Sequence, residues 1–196
     1  MPSGELNTSS LVTEILRSGK NLFVPRIDPT AEGRMDFVKV YGEDDLGSFP
    51  EGLWGIKEPT SHWNGQPRTS ILSDPGQSLD LIIVPGEFSR RDTSRVLIPL
   101  AAGVAFDPSL SRLGHGKGYY DRFITAYTAS HGAQKPLLGI FYGIIFWLQL
   151  TATLVALALR EQILEPGAVP MTDHDWKMDA VVGPDEILGE ELSGIL

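Results

Sequence analysis

The sequence predicts an α/β protein with a mostly parallel sheet, and three stretches carry that prediction. Leu79 to Val84 (LDLIIV) is an apolar run of strand length, the character of a strand covered on both faces. Arg112 to Phe123 (RLGHGKGYYDRF) places glycines at alternate positions just ahead of a helical pattern, and Val169 to Val182 (VPMTDHDWKMDAVV) ends in a second strand-like run. Strand, glycine loop, helix is the order in which α/β proteins hold phosphates.

The elements follow in order. Thr8 to Arg17 sets Leu11, Val12, Ile15 and Leu16 on one helical face, with Thr8 or Ser9 as cap and Gly19 as the stop. Asn21 to Pro25 and Asp36 to Tyr41 are short, β-branched and bounded by turn residues, so both read as strands. Gly42 to Gly76, rich in Gly, Pro, Ser and Trp, reads as loop. Tyr119 to Ser130 reads as a helix with Tyr120, Phe123, Ile124 and Tyr127 spaced for burial. Leu137 to Leu159 carries no charge and reaches the length of about 20 residues that a bilayer span requires. A lone span inside an α/β domain would disrupt its sheet, so a membrane-anchored protein ranks below buried structure or a defect in the sequence. At 196 residues, 42% of them apolar, the chain is expected to form a single domain over 1–196.

Composition excludes some functions. A formal charge of -9 sets the overall field against nucleic acid and anionic membranes, so an anionic ligand needs a local exception. Arg112, His115, Lys117 and Arg122, with Asp121 as the lone acid among them, supply one. With no cysteine there is no disulfide, thiolate nucleophile or zinc–cysteine site, which fits a cytosolic chain. MPSGELNTSS has neither a secretory nor a mitochondrial leader pattern, so a cytoplasmic protein is expected, a mitochondrial address staying open if the natural start lies upstream.

Alternating glycines let backbone N–H groups approach an anion, and the start of the following helix adds partial positive charge. The spacing is neither the P-loop, since Gly118 follows Lys117, nor G-x-G-x-x-G, and in isolation a structural turn is an equal reading. Asp121 and Asp179 are candidate magnesium ligands, because magnesium takes one or two carboxylates beside phosphate oxygens. Read alone, each is more readily an ordinary helix-start or strand-end acid. His174 and Asp175 are adjacent and point differently, so they make no catalytic pair, and His62 reads as a loop residue.

Taken together, LDLIIVPG, VAFD, RLGHGKGYYDRF and HDWKMDAVV resemble the 5-formyltetrahydrofolate cyclo-ligase (methenyltetrahydrofolate synthetase) family from Met1 through Val182. The resemblance implies a three-layer, Rossmann-like fold similar to sugar-phosphate isomerases and CoA transferases. It also implies that ATP and magnesium serve to close 5-formyltetrahydrofolate, with or without a polyglutamate tail, to 5,10-methenyltetrahydrofolate, releasing ADP and phosphate. The formyl oxygen is phosphorylated, the neighbouring folate nitrogen attacks and phosphate leaves; positioning and charge neutralisation suffice for such a transfer. By resemblance Arg112, Leu113, Gly114, His115, Gly116, Lys117, Gly118, Tyr119 and Tyr120 hold ATP. His115 through Tyr119 also border the folate, Met1 and Glu5 line its pterin end, and Asp121 and Asp179 hold magnesium. Lys117 and Tyr119 are the implied catalytic residues, Lys117 neutralising the transferred phosphate. Most members have Arg at the place of His115, making that charge pH-sensitive here. A monomer is the expected state.

Three departures from the family pattern stand out. The family's basic first segment, whose lysine touches ATP, is absent, so the chain is expected to be truncated at its N-terminus. Glu87 to Gly103 separates VPG from VAFD, and Gly139 to Leu154 separates PLL from VALAL, where family members run on directly. Both can be back-translated with splice signals: Gly86-Glu87-Phe88 as GGTGAGTTY with the donor GTGAGT, Ala102-Gly103 as the acceptor GCAGGT, and matching signals around 139–154. Translated introns are therefore expected, and with them weak folding or little turnover of the chain as written. A folate- or nucleotide-binding paralogue that has lost turnover is the alternative.

Overall fold

In the computed structural model, residues 9–28, 30–31, 33–51, 57–74, 76–79, 81–85, 104–114, 116–131 and 153–189 are described. Met1, Glu5, His115, 87–103 and most of 139–154 lie outside them.

The first helix, α1 (Ser9–Arg17), ends where Gly19, at φ 72°, adopts the left-handed conformation that glycine tolerates best. There the N–H of Lys20 reaches the carbonyl of Ile15 and the N–H of Gly19 that of Leu16, closing the helix end. Val12 seats this helix on a hairpin of β1 (Leu22–Ile27) and β2 (Met35–Val40), which pair antiparallel from Leu22 opposite Val40 to Ile27 opposite Met35. Val24, Val38, Val40 and Phe49 complete that small core.

The segment expected to be loop contains more structure. Helix α2 (Glu43–Gly47) and a tight hairpin of β3 (His62–Trp63) and β4 (Gln66–Pro67) lie within it. They are tied by a buried pair: Arg68 donates from its terminal nitrogens to both carboxylate oxygens of Asp45, and further to the carbonyls of Lys39 and Thr60 at 2.9 and 2.8 Å. The rings of Phe49, Trp63 and Tyr41 stand 5.3, 5.7 and 5.9 Å from its guanidinium carbon. A pair 23 positions apart leaves no local pattern, so composition alone read this region as loop.

The parallel expectation is met in a smaller sheet. Strands β5 (Leu81–Pro85), β8 (Thr153–Leu157) and β9 (Ala180–Val182) run parallel, and β10 (Ile187–Leu188) closes the edge antiparallel, in the order β10-β9-β8-β5. A mixed α/β architecture with small sheets results, the β1–β2 hairpin standing outside the parallel set. The strand ahead of the glycine loop is also different: β7 (Arg112–Leu113) pairs antiparallel with β6 (Ala105–Phe106) in a two-residue ladder.

Helix α3 (Tyr119–Ser130) links the halves. Tyr120, Phe123, Ile124 and Tyr127 are all buried, as the i, i+3, i+4, i+7 spacing requires, and they share one core with Met35 and Phe37 of β2, Ile82 of β5 and Leu154 and Ala156 of β8. Phe37 meets Phe123 at 4.6 Å between ring centroids and stands edge-on to Tyr120 at 6.0 Å. The phenolic oxygen of Tyr127 accepts the N–H of Leu79 at 3.0 Å, anchoring the helix to the approach of β5.

The membrane reading of Leu137 to Leu159 is corrected here. Its last part is β8, with Leu154 and Ala156 buried and the strand paired on both sides by β5 and β9. What precedes β8 in that run, 137–152, falls short of the ~20 residues a span needs. Among the described residues no helix is long and apolar enough to cross a membrane.

Candidate functional site: the glycine turn at the start of α3

The turn that launches β7 is built on Asp107, which is fully buried. One carboxylate oxygen accepts the N–H groups of Ser109 and Ser111 at 2.9 and 3.3 Å; the other accepts those of Gly167 and Val169 at 3.0 and 3.2 Å. Burial by itself would raise the carboxyl pKa, yet the backbone donors of Val169, Ser111 and Ser109 hold it below the ordinary carboxylate range. This aspartate, the last letter of VAFD, thereby fastens the loop before the candidate site to the loop after β8.

Beyond β7 the chain turns through Gly114, Gly116, Lys117 and Gly118 into α3. Gly116 and Gly118 have φ of 75° and 61°, left-handed values that a side chain rarely adopts. An added Cβ at Gly116 would meet nothing within 4 Å, so that glycine answers to backbone conformation and leaves its open side to a visitor. Gly118 is the N-cap of α3 and has no side chain to cap the first turn, where a helix's leading N–H groups lack intrahelical partners. The Lys117 side chain is exposed, and its ammonium has no partner among the described residues. Left-handed glycines, a helix start without a side-chain cap and a reachable lysine together suit a phosphate.

The other basic residues are engaged differently. Arg112 directs one terminal nitrogen to both oxygens of Asp121 at 2.9 Å, with its guanidinium carbon 5.6 Å from the ring centroid of Tyr120. Arg122 donates from Nε to the carbonyl of Gly33 at 2.9 Å and from a terminal nitrogen to the carbonyl of Lys117. Leu113 is exposed and Tyr119 half-buried, with Arg122 5.8 Å over its ring. The Tyr120 ring lies in the core.

Asp121 also accepts the backbone N–H of Trp176 at 2.9 Å, and the indole nitrogen of Trp176 donates to Thr125 at 3.0 Å. The HDWKMD segment is thus docked on the first two turns of α3. Met178 N–H donates to Leu110 at 2.8 Å and Lys177 Nζ to Ser109 at 3.0 Å, which completes the docking. Asp179 exchanges hydrogen bonds with Leu154 of β8: its N–H donates to the Leu154 carbonyl at 2.8 Å and its carboxylate accepts the Leu154 N–H. Exposed His174 has no catalytic partner in Asp175, whose carboxylate accepts the N–H and hydroxyl of Thr172 at 2.7 and 2.9 Å.

Asp121 and Asp179 are carboxylates, the hard-oxygen donors that magnesium takes, and the structure engages them separately, Asp121 with Arg112 and Trp176 and Asp179 with Leu154. An ionised carboxylate offers about four acceptor positions, and the Arg112 and Trp176 contacts leave about one at Asp121. No group of three or more His, Cys, Asp or Glu side chains that could hold a metal occurs among the described residues. That does not conflict with magnesium, which takes few protein ligands and draws the remainder from phosphate and water.

Sequence reading picked out the glycines, Lys117 and both aspartates, and missed Asp107, Trp176 and the Gly33 contact of Arg122. The D of VAFD was the one available signal, as an acid at the end of an apolar strand.

By its architecture the protein is of the mixed α/β class, with small sheets. Comparison with known proteins is more specific. A family model described as the 5-formyltetrahydrofolate cyclo-ligase family matches residues 1–91 and 89–184, and the chain belongs to that family. The Schizosaccharomyces pombe protein named probable 5-formyltetrahydrofolate cyclo-ligase is 32% identical over 96% of this chain and 73% of its own length. The mouse 5-formyltetrahydrofolate cyclo-ligase is 29% identical over 92% of this chain and 68% of its own. An Arabidopsis thaliana relative, named as the mitochondrial enzyme, is 28% identical over 94% and 56% respectively.

Proposed function

We propose that this protein is an ATP-dependent ligase that closes 5-formyltetrahydrofolate to 5,10-methenyltetrahydrofolate, with release of ADP and phosphate, in folate one-carbon metabolism. Family membership supports the reaction, and the single observation that carries the site is the turn at the start of α3, with left-handed Gly116 and Gly118 around Lys117. In this reading Arg112 to Tyr120 surround the nucleotide. The N–H groups of the turn and of the first turn of α3 receive its phosphates, while Lys117 neutralises the charge that grows on the transferred group. His115 to Tyr119, Met1 and Glu5 line the folate, Tyr119 orienting the formyl group toward Lys117. Asp121 and Asp179 are the residues that would hold magnesium, whose charge would offset that of the phosphates. Arg112 holds the Asp121 carboxylate in place until the nucleotide arrives. The remaining assignments are a single three-layer Rossmann-like domain, a monomer, a cytoplasmic location and tolerance of a polyglutamate tail.

Residues 87–103 and 139–154 are proposed as insertions in that domain. The split of the family match at 89–91 falls inside the first, which supports the reading. The second ends within β8: Thr153 and Leu154 pair with Leu81 and Ile82. Without 139–154, Leu137 and Leu138 would take those two places, again setting a leucine at the buried position. Because both inserts abut strands that frame the site, binding without turnover is the second reading for the chain as written. The test is methenyl formation by absorbance beside binding of the ATP analogue AMP-PNP: analogue binding without product would select the second reading, and neither binding nor product would reject both.

A further inference from the structure

We infer that Arg122 is a positioning residue for the phosphate-binding turn, and that Gly33, 89 positions earlier, is a glycine in order to let it act. The inference rests on the proposed nucleotide site and adds to it two residues outside the turn. Arg122 lies one helical turn into α3, and two of its five N–H donors go to main-chain oxygens: Nε to Gly33 at 2.9 Å and a terminal nitrogen to Lys117. The Lys117 carbonyl belongs to the peptide between Lys117 and the left-handed Gly118, so this contact fixes the orientation of that peptide and the departure of the lysine side chain. The guanidinium also lies 5.8 Å over the Tyr119 ring, and a terminal nitrogen would stand 3.5 Å from a Cβ at Gly118, whereas a Cβ at Gly116 would meet nothing within 4 Å.

The other anchor is equally specific. Gly33 is buried at the end of the turn joining β1 to β2, with φ 74°. A Cβ there would sit 2.5 Å from a terminal nitrogen of Arg122 and 2.7 Å from its central carbon, closer than nonbonded atoms approach. That turn is itself held by Asp28, whose carboxylate accepts the N–H and hydroxyl of Thr30 at 2.9 and 2.6 Å, and by Asp28 N–H to Arg34 at 3.0 Å. The β1–β2 hairpin therefore braces the glycine turn through one planar, forked cation. A lysine has a single donor head and cannot span both carbonyls in that geometry.

The experiment measures AMP-PNP and AMP binding by calorimetry, and thermal unfolding, on the full chain and on Arg122→Gln, Arg122→Lys, Gly33→Ala and Lys117→Ala. AMP lacks the terminal phosphates, so a braced turn predicts about tenfold weaker AMP-PNP binding in Arg122→Gln, Arg122→Lys and Gly33→Ala, with AMP affinity within twofold. Equal losses for AMP-PNP and AMP that track the fall in unfolding temperature would overturn the inference, since general loosening does that. Recovery in Arg122→Lys would also overturn it, because a charge acting directly on phosphate survives that change. If Lys117→Ala weakens AMP-PNP while the Arg122 and Gly33 variants bind normally, the brace fails and the site stands. Unchanged binding in Lys117→Ala means the site itself is elsewhere, and the inference falls with it.

Discussion

At Asp107 a single buried carboxylate receives four backbone N–H groups from two segments about 60 positions apart. Asp107→Asn removes the charge and one acceptor oxygen, so a loss of about 2–3 kcal/mol of stability is expected, read as a lower denaturation midpoint with an unchanged slope. The pH dependence has a definite sign. The folded pKa lies below the ordinary value, so the stabilisation is complete above the unfolded pKa of about 3.9 and disappears as pH falls through the folded value. The difference between wild type and Asp107→Asn should accordingly be constant from neutral pH down to about 5 and narrow below about 4; a gap that widens on acidification would contradict this assignment. In the proposed site Lys117 acts on ligand, not on fold. Lys117→Ala should leave the unfolding temperature within about 1 °C while weakening AMP-PNP at least about tenfold, as loss of a charge-assisted contact predicts.

Among the elements, α3 was legible because its evidence is local. Four apolar residues at helical spacing and two glycines before them fix its position, face and N-terminus, and the observed helix has the expected bounds. Phe123, packed on Phe37 at 4.6 Å, helps to join α3 to β2, and Phe123→Ala should cost about 3–5 kcal/mol by chemical denaturation. The region from Gly42 to Gly76 was illegible for the opposite reason. Its organiser is Arg68 on Asp45, and neither residue signals its partner locally. Breaking that pair with Asp45→Ala leaves a buried guanidinium uncompensated and should cost about 3–5 kcal/mol, whereas joint replacement of both residues by apolar ones should cost less. The same contrast holds in the site: glycines and a lysine can be read off the chain, but the brace between Arg122 and Gly33 exists only after the hairpin and helix have met.

At the scale of the whole molecule, the α/β class was legible in the sequence but the neighbours of each strand were not, because a hydrophobic strand does not name its partners. β1 and β2 pair with each other, and the parallel set is β5, β8 and β9. The register of β8 bears on the two proposed insertions. A chain lacking 139–154 keeps a leucine opposite Ile82, and one lacking 87–103 runs from β5 into β6 through Gly86 and Val104. Removing both should raise the unfolding temperature and the yield of soluble protein; a shortened chain that unfolds at a lower temperature would argue that the segments are integral. Transcript sequencing addresses their origin separately, since a mature message encoding both would refute retained introns. The central claim, that the turn at Gly116 to Gly118 with Lys117 holds the phosphates of the ATP consumed in ring closure, is tested most directly by following methenyltetrahydrofolate absorbance in the chain without the two segments, beside its Lys117→Ala variant. ATP-dependent product formation that falls about a hundredfold or more on loss of the ammonium is the expected result. Formation at an undiminished rate in Lys117→Ala would contradict it.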